Sequence, residues 1–353
     1  MTHAFRPSKW QKAAFAASSF ALLGSITPLA PLSAATPAAA CVFPQNAISE
    51  IRSDKYYRGR NNAIIDSEAL DEAMAQSAPL RDMVQRQQTI PADLRADDLA
   101  AAKCKTAELA YWARSDALLG NNNQRGFNER LFYISGLALA HRRNLQLMEQ
   151  AGTPLYEDDA AIIAEWMVKL GDSVITAYTR DPADRRFTSE FIPPRAQRTG
   201  NLGAWAAMMV AATGEATGNQ TQLRWAGEQW RRVLQTVDSD GAMASEVRRG
   251  AKATEYHFFA LNPLVATELV LRRNGIPVDG QARANLDRLA RYALEGAAQG
   301  KLPDPARRNR LFVGPALWCR DLAPGDPSCA AMPDWRQLTF PYLGGAPLDI
   351  WER

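Results

Sequence analysis

Between Glu246 and His257 the chain gathers a carboxylate, the pair Arg248-Arg249, a phenol at Tyr256 and an imidazole at His257, and then runs into apolar Phe258-Phe259-Ala260-Leu261. Such a set can move protons. A phenol has a reference pKa near 10, so Tyr256 acting as a base at neutral pH needs a cation close by to favour the phenolate. Arg249 is the candidate cation: seven residues span about two helical turns, which would put both side chains on one face. Gly250 interrupts that helix, so the proximity is an expectation of spacing alone. Upstream, Asn201 and Trp205 open another apolar segment. Asn201 suits a helix N-cap, and a helix start also offers N–H groups to an anion. Plainer uses exist for the same residues. Tyr256, Phe259, Ala260 and Pro263 fall at helical spacing and would suit a core stripe. His257, next to Tyr256, cannot face the same way and is given a supporting role, and Arg248 reads as a solvated or salt-bridged neighbour.

The elements that must position these groups are helices. Helical periodicity runs through Leu70 to Met83, Leu99 to Leu119, Phe127 to Met148, Asp158 to Tyr178, Leu202 to Thr213, Leu223 to Val237, Thr254 to Arg273 and Ala282 to Ala298, while strand-like alternation is scarce. Turns rich in Gly, Asn, Asp and Pro separate them, among them Leu119 to Gly126, Asp181 to Arg186, Gly214 to Gly218, Asp238 to Gly241 and Asn274 to Pro277. The expected fold class is therefore all-α, a series of helix hairpins that can wind into an α/α toroid, which periodicity alone does not distinguish from an α-solenoid. An α-solenoid is the rival, weakened because no repeat of fixed period stands out. His141, in Leu137-Ala-Leu-Ala-His141, reads as a satisfied structural histidine, and Pro303 to Arg353, rich in Pro, Gly and Trp, reads as an irregular wrap on the body.

Residues 1–40 carry Arg6, Lys9 and Lys12 with no acid, an apolar run from Ala13 to Leu23 and a small-residue tail ending at Ala40. This predicts a secretory signal peptide, followed by one domain over 41–353 that is periplasmic or secreted. The apolar run is far short of the roughly 20 residues of a membrane span, and Ala38 departs from a lipoprotein signal at Cys41. Without those three basic residues the chain holds 38 basic and 38 acidic side chains. A polyanion would have to be held by a local basic groove, and general nucleic-acid binding by net field is excluded. The four cysteines, Cys41, Cys104, Cys319 and Cys329, suggest two disulfides in an exported chain. Of three pairings, Cys41–Cys104 and Cys319–Cys329 are favoured, and the spacings do not suit a zinc site.

Two segments resemble the alginate lyase family. Asn201-Leu202-Gly203-Ala204-Trp205 is similar to its Asn-Asn-His-x-x-Trp pattern, and Val237-Asp-Ser-Asp-Gly241 with Glu246, Arg248-Arg249 and Tyr256-His257 is similar to its Asp-x-Asp-Gly…Glu-x-x-Arg…Tyr-His pattern. Weaker echoes lie at Arg52 to Tyr56, Cys104, Asn123 with Gly126 and Arg130, Leu170 to Val174 and Tyr342 to Gly345. The resemblance implies an α/α-toroid polysaccharide lyase that needs no cofactor or metal and cleaves a β-1,4-linked polyuronate by syn β-elimination. It implies catalytic roles for Asn201 and Arg249, neutralising the uronate carboxylate, and for Tyr256 as base, acid or both. Glu246 would organise the arginine, and Trp205 is either core or a sugar-stacking platform. Gln124, Arg125, Arg130, Lys55 and His257 complete the expected substrate contacts. The expected partner is an acidic polysaccharide, met by a monomer without a membrane anchor. One position departs: Leu202 stands where the pattern has His, and Gly200 replaces the preceding Asn. Gln124, Arg125 or His257 would have to help instead. Two readings compete with the lyase, a non-catalytic uronan-binding protein of an export system, marked by Leu202, and a glycoside hydrolase, which would need two opposed carboxylates.

Overall fold

In the computed structural model, residues 41–353 are described apart from 42, 44–45, 54–55, 59–63, 90–95, 154–156, 184–190, 303–307, 334–337, 346–350 and 352–353. The expected segment at 1–40, and Lys55, lie outside the described residues. A two-residue antiparallel strand pair, β1 (Tyr57–Arg58) and β2 (Ile64–Ile65), pairs Tyr57 with Ile65. It is followed by α1 (Ser67–Gln76), α2 (Ala78–Gln88), α3 (Ala96–Arg114), α4 (Gln124–Gln150), α5 (Glu157–Thr179), α6 (Asn201–Thr217) and α7 (Gln220–Leu234). The short α8 (Ala244–Val247), then α9 (Ala253–Arg273), α10 (Gly280–Ala298), α11 (Arg308–Leu311) and α12 (Val313–Leu317) complete the order.

Local chemistry sets the boundaries. Asn123 caps α4 by accepting from Gly126 N–H at 2.9 Å, Asn219 caps α7 and Asp279 caps α10. Three acids, Glu157, Asp158 and Asp159, open α5, where negative charge meets the positive end of the helix dipole. The sequence reading of one helix over 70–83 is corrected. It breaks at Ser77 because Pro79 sits in the first turn of α2, where a missing N–H is tolerated.

The helices form two concentric layers. α6 packs on both α4 and α9 inside, with α12 against α9. α3, α5, α7 and α10 lie outside, each packed on the next. Sequence explains the sorting. α6 is apolar or small nearly all round (Asn-Leu-Gly-Ala-Trp-Ala-Ala-Met-Met-Val-Ala-Ala-Thr-Gly) and is buried on every face, as such a helix must be. α7 is amphipathic, burying Leu223, Ala226, Trp230 and Val233 and leaving its arginines outward. The alternation of outer and inner helices along the chain is an α/α toroid, the fold that the family resemblance implied.

The C-terminal region is less irregular than its composition suggested. It contains α11, α12, a π-helical turn at Trp318–Leu322 and 3-10 turns at Pro327–Ala331 and Pro341–Leu343. Asn262 of α9 docks it, donating to Leu311 O at 3.0 Å and accepting from Gly314 N–H at 2.5 Å. Disulfides join Cys41 to Cys104 and Cys319 to Cys329, the pairing favoured from sequence. No helix among the described residues is long and apolar enough to cross a membrane.

Candidate active site

The inner helices turn their N-termini toward one cleft of about 840 Å³. α4 supplies Gln124, Arg125 and Asn128, α6 supplies Asn201 and Leu202, and α9 supplies Glu255, Tyr256 and Phe259. Arg310 comes from α11, while the strand pair brings Tyr57 and Ile65 across the opening. Helix N-termini present unpaired N–H groups and positive dipole ends, so the wall suits anionic groups before any side chain is counted.

Glu246 is the hub of one wall. It is buried, and its carboxylate accepts from Asn201 N–H at 3.2 Å, Asn201 Nδ2 at 2.8 Å and Ser245 Oγ at 2.9 Å. Arg249 Nε lies 3.8 Å from the same group. One carboxylate thus fixes both the amide and the guanidinium. With Nδ2 as the atom bound to Glu246, the amide orientation of Asn201 is set, and its second N–H remains for a ligand. A Cβ at Gly200 would lie 3.2 Å from Glu246 Oε1 and 3.3 Å from Ser245 Oγ, so a side chain there requires these groups to give by a few tenths of an ångström.

Arg249 and Tyr256 do meet, by a route the spacing argument did not foresee. Gly250 has φ +60°, a left-handed conformation costly for residues with a Cβ, so the chain turns between α8 and α9. Across that turn the guanidinium stacks 4.5 Å from the centroid of the Tyr256 ring. The expected effect on the phenol is corrected as well. Burial pushes Tyr256 well above the ordinary phenol range, and Tyr57, hydrogen-bonded to it, pushes the same way, while the charge of Arg249 only partly offsets them. At neutral pH these influences keep Tyr256 a neutral phenol.

Arg125 lines the cleft with its guanidinium 4.2 Å from the Tyr56 ring centroid and ion-paired to Glu129 one turn on. Burial raises Glu129, the pairing with Arg125 opposes that rise, and the charge of Glu129 holds Arg125 above its ordinary value.

Three expected contacts stand away from the cleft. Trp205 is fully buried among Phe132, Phe259, Phe340 and Tyr342, so it is core rather than a stacking platform. Arg130, also fully buried, donates to Leu118 O at 2.9 Å, where Leu118 holds a left-handed φ of +63°. It braces a turn instead of binding a ligand. His257 is buried beneath the cleft wall, with Nε2 accepting from Met243 N–H at 3.0 Å and Nδ1 facing Ala253 O at 2.7 Å. Both ring nitrogens are occupied, so it cannot stand in for the missing histidine. His141 is a buried structural histidine, held neutral by burial at a pKa of about 4.

Sequence reasoning missed Tyr57, Asn128, Ser245, Glu255 and Arg310 on the cleft wall. A signal existed for Tyr57, in the polar stretch from Lys55 to Arg60, but nothing local ties it to a phenol about two hundred residues away.

The sequence profile of the alginate lyase family matches residues 50–302. The chain belongs to the alginate lyase family. Family membership places it among the polysaccharide lyases. It is 29% identical over 284 residues, 79% of this chain and 78% of the relative, to a polysaccharide lyase of Stenotrophomonas maltophilia (strain K279a). To an alginate lyase of Azotobacter vinelandii (strain DJ / ATCC BAA-1303) it is 32% identical over 60% of this chain, and the match spans 51% of that relative's length. Among solved structures, alginate lyase A1-III from Sphingomonas species A1 superimposes with a TM-score of 0.66 at 14% identity, covering 90% of this chain and 88% of that one. A histidine-to-alanine variant of A1-III, complexed with tetrasaccharide, gives the same TM-score over 88% and 84%. At that identity these structures speak for the shared fold.

Proposed function

We propose that this alginate lyase family member is an exported enzyme that cleaves a β-1,4-linked polyuronate, mannuronan or glucuronan, by syn β-elimination. The observation that carries the reading is the convergence of Asn201, Arg249 and Tyr256, from three separate segments, on one wall of the cleft. In β-elimination the C5 proton leaves, a C4–C5 double bond forms, and the bond from C4 to the glycosidic oxygen breaks with protonation of that oxygen. The carbanion-like transition state is stabilised by neutralising the adjacent C6 carboxylate. Asn201 Nδ2 and Arg249, both braced by Glu246, supply the donors. Tyr256 takes the C5 proton as phenolate and returns it to the leaving oxygen on the same face. Because burial favours the neutral phenol, the phenolate is the minority form at neutral pH, and the phenol is well suited to the protonation step. Glu246 has Asn201, Ser245 and Arg249 on its carboxylate, which removes it from the general acids a hydrolase would need. The uronate class is supported by the relative from Azotobacter vinelandii, named an alginate lyase. Export rests on the charge and apolar pattern of residues 1–40.

Leu202, on the cleft wall in place of the family's histidine, favours a second reading as a non-catalytic uronan-binding protein. Ultraviolet absorbance of the unsaturated uronate separates the two. Incubation with mannuronan, guluronan, glucuronan and mixed bacterial exopolysaccharides is expected to raise that absorbance on a mannuronate or glucuronate polymer, and Tyr256→Phe is expected to lower turnover by about 10³-fold with binding intact. Binding without absorbance on any polymer would establish the second reading.

A further inference from the structure

The two halves of the proposed site ride on different segments. Glu246 and Arg249 sit on α8 and its following turn, Tyr256 sits on α9, and the backbone between them bends at Gly250. Besides the stacking of Arg249 on Tyr256, a side-chain bond from beneath ties one half to the other. His257 Nε2 receives the Met243 N–H at 3.0 Å, and Met243 O in turn accepts from Glu246 N–H at 2.8 Å and Val247 N–H at 3.0 Å, which starts α8. A backbone N–H can only donate and a carbonyl can only accept, so His257 must carry its proton on Nδ1, toward Ala253 O at 2.7 Å, and none on Nε2.

We propose that His257 is a positioning residue that latches Met243, and through it the α8 turn bearing Glu246 and Arg249, onto the helix that presents Tyr256. The latch holds only while the ring is neutral. Protonated, it would turn an N–H toward the N–H of Met243. Facing the ring are Tyr292 of α10, at 4.9 Å between centroids, the Glu246 carboxylate from α8 and the Asp238 carboxylate from the preceding turn. The two carboxylates favour the charged ring, burial disfavours it, and burial prevails, leaving His257 below its ordinary value. The latch is therefore closed at neutral pH and opens as pH falls below the ordinary imidazole range.

The catalytic consequence rests on the lyase reading, whereas the latch itself is open to a test that does not. His257→Phe fills the space without an acceptor, and His257→Gln offers a carbonyl oxygen that does not titrate. Hydrogen exchange over residues 238–249 is expected to rise about tenfold or more in His257→Phe, with α6 unchanged, and to stay near wild type in His257→Gln. Turnover should fall about thirtyfold in the Phe variant, through both kcat and KM, and be rescued to within about fivefold by Gln. Wild type should lose exchange protection on the acid side, with turnover falling there more steeply than the phenolate fraction of Tyr256 alone dictates, and His257→Gln should keep its protection and lose only that extra steepness. Unchanged exchange in His257→Phe, or the same acid-side loss of exchange protection in His257→Gln as in wild type, would overturn the latch. If the Phe variant fails to fold, the comparison of wild type with Gln across pH decides. Faster exchange with unaltered turnover would refute the positioning role alone. A wild-type protein silent on every polyuronate would strike the lyase reading and leave the exchange measurement to judge the latch.

Discussion

In the proposed elimination Tyr256 would act from an unfavourable protonation state, and that has a measurable signature. Its pKa is raised by burial and by Tyr57, so the phenolate fraction is small at neutral pH and grows about tenfold per pH unit until the raised value is reached. The logarithm of kcat/KM is therefore expected to climb with pH, with a slope of about one, between pH 7 and 9. A flat profile there, read by the same ultraviolet assay, would show that proton abstraction does not run through a phenolate at Tyr256. At this scale the sequence was informative about residue types and poor about environments. Asn201, Arg249, Glu246 and Tyr256 were legible as a set because family motifs and side-chain chemistry agree on them. The burial of Trp205 and Arg130, and the dominance of desolvation over Arg249 at Tyr256, depend on what packs around each group from distant segments. Tyr57 was hidden for the same reason.

The elements were far more legible than the contacts between them. Each of the eight periodic segments holds helix in the structure, because a stripe of apolar residues at helical spacing both forms the helix and selects its buried face, but α3 stops at Arg114 rather than Leu119, where Asp116 and Leu118 take positive φ, and α7 stops at Leu234 rather than Val237. What the stripe did not show was the break at Ser77, which depends on Pro79 in the following turn. The start of α4 is another such point. A Cβ at Gly126 would lie 1.8 Å from Ile51 O, backbone that is itself pinned by Ile51 N–H donating to Asn122 Oδ1 at 2.9 Å. Gly126→Ala must therefore push the 51–53 strand of chain off the helix that presents Gln124 and Arg125. Urea unfolding is expected to show a loss of about 2–3 kcal/mol, and an unchanged midpoint would mean the N-terminal segment yields freely.

For the molecule as a whole, the two disulfides differ in what they constrain. Cys41–Cys104 spans a sequence separation of 63, tying the start of the described chain to α3, whereas Cys319–Cys329 closes a separation of 10 within the C-terminal region. Chain entropy assigns about 4 kcal/mol to the first and about 3 kcal/mol to the second. Replacing Cys41 and Cys104 with Ala is expected to lower Tm more than replacing Cys319 and Cys329, as read by calorimetry, and the reverse order would show that the first loop is already ordered in the unfolded chain.

The Leu202 side chain packs, partly buried, against the hydrophobic core, while the hydrogen bonds at its position run through its carbonyl and through Asn201. That carbonyl is bound by Tyr178 Oη at 2.9 Å from α5, and its neighbour Asn201 is tied by main chain and amide to Glu246, so nothing in that framework passes through the leucine side chain. A lineage can therefore exchange the group at this position in a single step, altering what the cleft wall offers a sugar while the amide and guanidinium stay in register. The scaffold keeps its aim, and one residue is left open to evolutionary change of specificity.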